Sequence, residues 1–148
     1  MKIYVGTDHN GFQLKQKLVD HLKQSGHQVV DAGDERLDPN DDFPVFAEKA
    51  VTAMLASDEP DPRGILICGS GQGMCMAANR FKGIRAALLY DRESAHSSRN
   101  DDNSNIACLP AKVLDDAEAG LIIDTWLNTP FASAERFNRR LKELDEMN

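Results

Sequence analysis

The stretch that decides the fold is Gly64-Ile-Leu-Ile-Cys68-Gly-Ser-Gly-Gln-Gly73. Its first half is almost continuously apolar, which is typical of a strand covered on both faces in a parallel sheet. Its second half is rich in glycine, and residues 74–80 then have a helical pattern. A strand that enters a helix through a glycine turn predicts a β–α unit whose strand lies in the centre of a sheet.

The same alternation extends outward in both directions. Apolar runs predict further strands at 3–6, 28–32, 84–89 and 105–109, and helical spacings predict helices at 12–25, 44–56, 92–99, 117–127 and 134–147. The acidic segment 33–42 contains a proline and is expected to be a surface loop. We therefore expect one α/β domain over residues 1–148, with five parallel strands between two layers of helices and a C-terminal helix.

Composition excludes several classes of function. The net charge of -7 disfavours partners that are nucleic acids or anionic membranes. The apolar run at the N-terminus is too short for the core of a signal peptide, and no stretch approaches the roughly 18 apolar residues of a spanning helix. The three cysteines contain no C-x-x-C pair, so neither a disulfide framework nor a zinc ribbon is indicated. We expect a cytoplasmic protein with no nucleic-acid or membrane partner.

The glycine turn after Cys68 is suited to an anion. Glycines let backbone N–H groups approach a ligand closely, and the start of a helix attracts negative charge. The anion could be a phosphate or an oxyanion that develops beside a reacting carbon, and the same environment favours the thiolate form of Cys68. A buried core cysteine followed by an ordinary turn has the same spacing, so the motif alone leaves both interpretations open.

Two more groups of polar residues could bind a ligand. Arg136 and Arg140 are one helical turn apart, so they could grip one phosphate together, although a solvated basic face has the same pattern. Asp8 and His9 follow the first strand, where an aspartate could orient a hydroxyl and a histidine could meet a phosphate. Asp8 could equally cap the next helix. Because ligands of α/β sheets bind at the carboxyl ends of strands, Asp8, His9 and Cys68 are expected at one edge.

Several motifs together resemble one family. They are T-D-H-N-G-F at 7–12, G-I-L-I-C-G-S-G-Q-G at 64–73, A-A-N-R-F-K-G-I-R-A-A at 77–87 and R-F-N-R-R-L at 136–141. This set resembles the ribose-5-phosphate isomerase B and galactose-6-phosphate isomerase family over essentially the whole chain. The resemblance implies a three-layer, flavodoxin-like or Rossmann-like fold in a homodimer, with a tetramer left open. It also implies active sites at the subunit interface, a sugar-phosphate substrate, and neither a metal nor an organic cofactor.

The resemblance also assigns roles to individual residues. Cys68 matches the base that moves a proton between two sugar carbons through an enediolate, and Ser70 matches a hydroxyl that shuttles protons at the substrate oxygens. The remaining matches bind substrate: Gly69, Gly71 and Gly73 in the turn, Asp8 at a hydroxyl, His9, Arg136 and Arg140 at the phosphate, and Lys112 where some relatives place a further phosphate-binding arginine.

The chain departs from the family pattern at residues 99–105. Relatives typically carry R-Q-H-N-D-x-N there, whereas Asp101 and Asp102 stand here in place of the ring-opening histidine and the substrate-binding asparagine. An ionised aspartate is a poorer proton donor than a histidine. We therefore expect a preference for an acyclic short-chain sugar phosphate, such as a four-carbon aldose or ketose phosphate, and slow turnover of ribose 5-phosphate. The alternatives are a hexose phosphate and a chain that binds sugar phosphates without turnover.

A phosphotransfer receiver on the same type of fold is disfavoured. Such a protein needs a phosphoacceptor aspartate at the end of its third strand, and Cys68 occupies that position.

Overall fold

The computed structural model describes residues 1–147. The strands are β1 (Lys2–Thr7), β2 (Gln28–Asp31), β3 (Arg63–Cys68), β4 (Ala86–Leu88) and β5 (Ile106–Pro110), and the helices are α1 (Phe12–Gln24), α2 (Phe43–Leu55), α3 (Gln72–Ala78), α4 (Arg92–Asn100), α5 (Asp116–Asn128) and α6 (Glu135–Asp145). Every strand and helix expected from the sequence is present. A short 3-10 turn, His9–Gly11, precedes α1 and was not predicted.

The five strands form one parallel sheet in the order β2-β1-β3-β5-β4. All six residues of β3 are buried, which confirms the central position predicted from its apolar run. Flavodoxin-like sheets have the order 2-1-3-4-5. In this chain β5 instead lies between β3 and β4, so the last two strands are exchanged.

The helices divide between the two faces as right-handed crossovers require. The connections from β1 to β2 and from β4 to β5 run in one direction across the sheet, so their helices, α1 and α4, share a face. The connections from β2 to β3 and from β3 to β4 run in the opposite direction, which places α2 and α3 on the other face. Each face has its own core. The first contains Leu18, Leu22, Ala95, Ile122 and Trp126, and the second contains Phe46, Val51, Met54, Met74 and Ala78.

The surface helices are short. Among residues 1–147, none of the helices is both long enough and apolar enough to cross a bilayer.

The unpredicted 3-10 turn packs directly on the sheet at Gly11. A Cβ at this position would lie 2.2 Å from Thr7 Oγ1 and 2.6 Å from Ile67 Cγ2. Thr7 Oγ1 in turn donates a hydrogen bond to the carbonyl of Ile67 at 2.9 Å. Only glycine allows this approach, which brings Asp8 and His9 beside the end of β3.

We predict that Gly11→Ala destabilises the protein by about 1–3 kcal/mol or more, because the added methyl group overpacks the contact with β1 and β3. Gly120→Ala on α5 is the matched control, since its Cβ would meet nothing closer than 3.7 Å. It should stabilise by roughly 0.5–1 kcal/mol through helix propensity. Urea denaturation measures both. A Gly11→Ala variant as stable as wild type would contradict the close packing.

Candidate active site

The ends of three neighbouring strands bring the first group of predicted residues together. Thr7 of β1 pairs with Ile67 of β3, and Cys68 pairs with Pro110 of β5. In the sheet, β2 and β3 lie on opposite sides of β1, so the strand order changes direction at β1. The carboxyl edge at such a switch point is where ligands bind in α/β sheets. Asp8 and Cys68 therefore share the carboxyl edge, as expected from the sequence.

Lys112 joins this group through the turn that follows β5. Its backbone N–H donates to the Gly69 carbonyl at 3.0 Å. Its Cε and Cδ would lie only 3.1 and 3.3 Å from a Cβ on Gly69. Gly69 therefore leaves room for the lysine side chain to cross the turn beside the residue that follows Cys68.

The glycine turn presents free backbone donors next to the thiol. Cys68 is 5% exposed at the end of β3. Gly71 has φ +73, and a Cβ there would lie 2.5 Å from Leu88 Cδ1, so this position requires glycine. The N–H groups of Gly71 and Gly73 donate to no atom of residues 1–147, whereas Gln72 N–H meets Ser70 Oγ at 3.4 Å. Since α3 is only seven residues long, these individual N–H groups are the donors that the turn offers to an anion.

Asp8 fulfils the capping role that the sequence left open. Its Oδ1 accepts hydrogen bonds from the N–H groups of Asn10 at 3.0 Å and Gly11 at 3.3 Å. The residue is only 5% exposed. One carboxylate oxygen thus fixes the turn, and the other is the atom through which Asp8 could hold a hydroxyl.

His9 is held by a residue that sequence reasoning missed. Asp41 Oδ1 lies 2.5 Å from His9 Nδ1 and also accepts the His9 backbone N–H at 3.1 Å. The Asp41 side chain is 7% exposed. Its hydrogen bond is the largest effect and raises the pKa of His9 above its ordinary value; burial opposes this rise, and the Asp41 charge adds to it. The ring is therefore fixed in orientation and favoured in its cationic form, as a phosphate ligand should be.

Asp8, His9 and Asp41 are also close enough to be considered as metal ligands. One ligand atom of each lies within 4.8 Å of the others. The hydrogen bonds just described, however, already engage Asp8 Oδ1, Asp41 Oδ1 and His9 Nδ1. The geometry favours a hydrogen-bonded histidine over a metal centre.

The second group of predicted residues lies at the opposite edge of the sheet. Asp101 follows the last residue of α4 and caps it, and Asp102 precedes β5, whose first residue Ile106 pairs with Gly64. Cys68 is four residues further along β3, about 13 Å away at the usual rise per residue. A single chain therefore does not bring Asp101 or Asp102 to Cys68.

Helix α6 places its arginines with this second group. Arg85, just before β4, pairs with Asp145 at the end of α6 (3.6 Å), and Ala132 N–H donates to the Asn100 carbonyl at 3.1 Å. Arg140 is close enough to Asp102 to affect its titration. Arg136 stacks on Phe137, with 4.4 Å from its Cζ to the ring centre. Both arginines are exposed, so within one chain they remain a solvated face.

Partial burial and neighbouring charges change the pKa of Asp102. Burial raises the pKa of Asp102, the Asp101 charge raises it further, and Arg140 partly opposes both effects. Asp101 Oδ1 accepts a hydrogen bond from Asn100 Nδ2 at 2.7 Å. A raised pKa favours the protonated form of Asp102, a residue that the resemblance placed at a substrate-binding position.

Comparison with known proteins supports one family throughout. The family model described as Ribose/Galactose Isomerase matches residues 3–144. A ribose-5-phosphate isomerase B of Mycolicibacterium paratuberculosis is 40% identical over 146 residues, which cover 99% of this chain and 91% of the relative.

Solved structures agree in fold and in sequence. The chain superposes on a ribose 5-phosphate isomerase from Thermotoga maritima with a TM-score of 0.92 and 41% identity, covering 98% of this chain and 97% of the other. A ribose-5-phosphate isomerase B from Mycoplasma genitalium with bound ribulose-5-phosphate gives a TM-score of 0.91 and 38% identity, covering 99% and 95%.

We predict that Asp41→Asn lowers the pKa of His9, because the neutral amide no longer favours the imidazolium. NMR titration of the His9 ring measures this directly. Asp38→Asn is the control, since the Asp38 charge is the smallest of the effects that raise this pKa. A His9 pKa raised in the folded state stabilises the fold at acidic pH, and this contribution disappears as the pH rises through that pKa. Identical His9 titrations in wild type and Asp41→Asn would contradict the pairing.

Proposed function

Because the chain belongs to the ribose/galactose isomerase family, it is a sugar-phosphate isomerase, and we propose that it uses Cys68 as the base in a cofactor-independent aldose–ketose interconversion of the ribose 5-phosphate/ribulose 5-phosphate type. The observation that carries the proposal is Cys68 itself, a thiol at the switch point beside the free N–H groups of Gly71 and Gly73. The relative from Mycoplasma genitalium, with ribulose-5-phosphate bound, supports a five-carbon substrate.

In the proposed reaction the Cys68 thiolate removes the proton from C2 of the open-chain aldose. The electron pair forms a double bond between C1 and C2, and the carbonyl oxygen O1 becomes an oxyanion. The Gly71 and Gly73 N–H groups stabilise this charge, since donors fixed in advance act most strongly where charge develops. Cys68 returns the proton to C1, and Ser70 carries the hydroxyl proton from O2 to O1. The product is the ketose, an isomer of the substrate, and no atom is gained or lost.

The phosphate anchors the non-reacting end of the sugar. In the proposal His9 and Lys112 approach it from the carboxyl edge of one chain, while Arg136 and Arg140 come from the amino edge of another. Charge-assisted hydrogen bonds from guanidinium groups suit a phosphate, and binding energy gained there fixes the reacting carbons against the thiol. Asp8 holds a substrate hydroxyl in the same arrangement, beside the turn formed by Gly69, Gly71 and Gly73.

The division of these residues between two edges supports a homodimer with sites completed across the interface. An apolar cavity of ≈ 460 Å³ lies between α2 and α3, next to the glycine turn, and is lined in part by Phe43, Gly73, Met76 and Phe81. Met76 is 66% exposed. An exposed apolar surface beside an incomplete site fits a second copy of the chain, and a two-fold axis would then create two equivalent sites. Assembly into a tetramer stays open within this proposal.

The proposal includes a cytoplasmic location. Cys68, Cys75 and Cys108 are all free thiols, and Cys68 must stay reduced to act as a base. A reducing compartment meets that requirement.

We predict that Cys68→Ala lowers turnover by about 10²-fold or more, the usual contribution of a positioned base. Proton NMR of ribose 5-phosphate in deuterated water detects the reaction as solvent deuterium entering the carbon next to the carbonyl. Cys75→Ala is the matched control and should keep near-wild-type exchange. Undiminished exchange in Cys68→Ala would remove this residue from the role, and absence of exchange in wild type with every sugar phosphate would reject the proposed reaction.

A second candidate substrate is an acyclic four-carbon sugar phosphate. A tetrose phosphorylated on its terminal oxygen cannot close a furanose ring through that oxygen, so it needs no ring-opening acid. Asp101 and Asp102, in place of the family's histidine and asparagine, favour such a substrate. The raised pKa of Asp102 allows it to donate a proton to a ring oxygen, although less readily than a histidine at neutral pH.

If an acyclic four-carbon sugar phosphate is the preferred substrate, we predict that kcat/KM for a four-carbon aldose phosphate exceeds that for ribose 5-phosphate. Asp101→His should then raise the ribose 5-phosphate value by about 10-fold or more and leave the four-carbon value unchanged. A coupled assay on both substrates measures the two effects. Asp101→Asn serves as the control, because it removes the charge without adding an acid. Rapid turnover of ribose 5-phosphate by wild type, unimproved by Asp101→His, would show that ring opening does not limit the enzyme.

A further inference from the structure

A second cavity, which has a polar lining, lies at the amino edge of the sheet, where β3 begins. Its volume is ≈ 490 Å³, and its lining includes Arg63, Arg99, Asn103 and Thr129. None of these residues belongs to the proposed isomerase site. Arg63 and Cys68 are the first and last residues of β3, so the strand separates this cavity from the catalytic thiol.

Two buried guanidinium groups meet in this cavity. Arg63 is 5% exposed and Arg99 is 3% exposed. Both donate to the same acceptor, the Ser104 carbonyl, from Arg63 Nη1 at 3.2 Å and from Arg99 Nη1. The Trp126 ring packs against Arg63, with 5.5 Å between Cζ and the ring centre. Two positive charges are thereby held side by side away from bulk water.

Among residues 1–147, only one carboxylate pairs with these two guanidinium groups. Asp61 pairs with Arg63 Nη2, and its side chain is 63% exposed. No carboxylate of residues 1–147 lies within ion-pair distance of Arg99, and Arg63 Nε is buried without a hydrogen-bond partner in the same part of the chain. Burial, together with the Arg63 charge, lowers the pKa of Arg99 to about 10. Buried charges are normally paired, so the cluster lacks a counter-ion.

We propose that this cavity binds a small tetrahedral oxyanion of the phosphate class between Arg63 and Arg99. Guanidinium groups match such anions with paired N–H donors, and Arg99 Nη2, which donates to no atom of residues 1–147, is a free donor for it. The ligand is either inorganic phosphate or the phosphoryl group of a small metabolite.

Hydrogen bonds connect the cavity arginines to the loop that carries Asp101 and Asp102. Arg99 Nη1 donates to Asn103 Oδ1 at 2.8 Å, and both cavity arginines bind the Ser104 carbonyl. An anion that fixes the two guanidinium groups therefore also restrains residues 103–104, directly after the aspartates.

The test measures the thermal unfolding midpoint against inorganic phosphate. An Arg136→Gln/Arg140→Gln background removes the arginines of the proposed catalytic phosphate site. At phosphate a hundred times the dissociation constant we expect a rise of roughly 5–11 °C in this background, because the anion binds only the folded state. The rise should be lost when Arg63→Gln is added. It should persist with Arg85→Gln, which also removes a hydrogen bond to the same loop (3.0 Å to the Asn103 carbonyl) but does not line the cavity.

A second variant avoids disturbing the buried hydrogen bonds. Asp61→Asn removes the exposed carboxylate that competes with the anion, so isothermal titration should show phosphate binding several-fold more tightly. Tighter binding of glycerol 3-phosphate than of inorganic phosphate would identify a metabolite as the ligand, and equal binding would identify the free ion. A full phosphate response in the Arg63→Gln protein, or unchanged affinity in Asp61→Asn, would overturn the proposal.

Discussion

The parallel pairing of β3 between β1 and β5 is the constraint on which the rest of the structure depends. The pairing buries every residue of β3 and aligns the ends of the three strands, so that Thr7, Cys68 and Pro110 finish at one edge. The turns that follow these ends carry Asp8, the glycine donors and Lys112. A buried strand can present a thiol to a ligand only at its end, and the glycine turn that follows provides anion donors at the same place.

Because all five strands run in the same direction, the second group of predicted site residues lies at the edge opposite Cys68. Residues that follow a parallel strand lie at its carboxyl edge, and residues that precede one lie at the amino edge. Asp101 and Asp102 precede β5, and Arg140 lies close to Asp102, so all three belong to the edge opposite Cys68. The exchanged order of β4 and β5 does not alter this division. A complete site of the proposed composition would therefore need two chains, and under this proposal assembly is a condition of catalysis rather than an addition to it.

The sequence allowed the fold and the carboxyl-edge group to be predicted because both depend on local pattern. Apolar runs, helical spacing and the glycine turn are visible within ten to fifteen residues, and they identified β3, Cys68 and Asp8. The Asp41–His9 pair could not be found this way, because it joins residues 32 apart and Asp41 lies in a segment whose composition indicated only a loop. The raised pKa of Asp102 could not be predicted either, because it depends on burial and on the position of Arg140, neither of which has a sequence signal.

Subunit complementation tests the central claim, a site shared between two chains. Cys68→Ala and Arg136→Ala/Arg140→Ala are each made as pure proteins with little activity, then mixed under conditions that exchange subunits, with mass spectrometry to follow mixed dimers. The account predicts recovery of about a quarter of wild-type activity, since half the dimers are mixed and each has one intact site. No recovery despite verified exchange, or full activity in a dilute wild-type monomer, would contradict it.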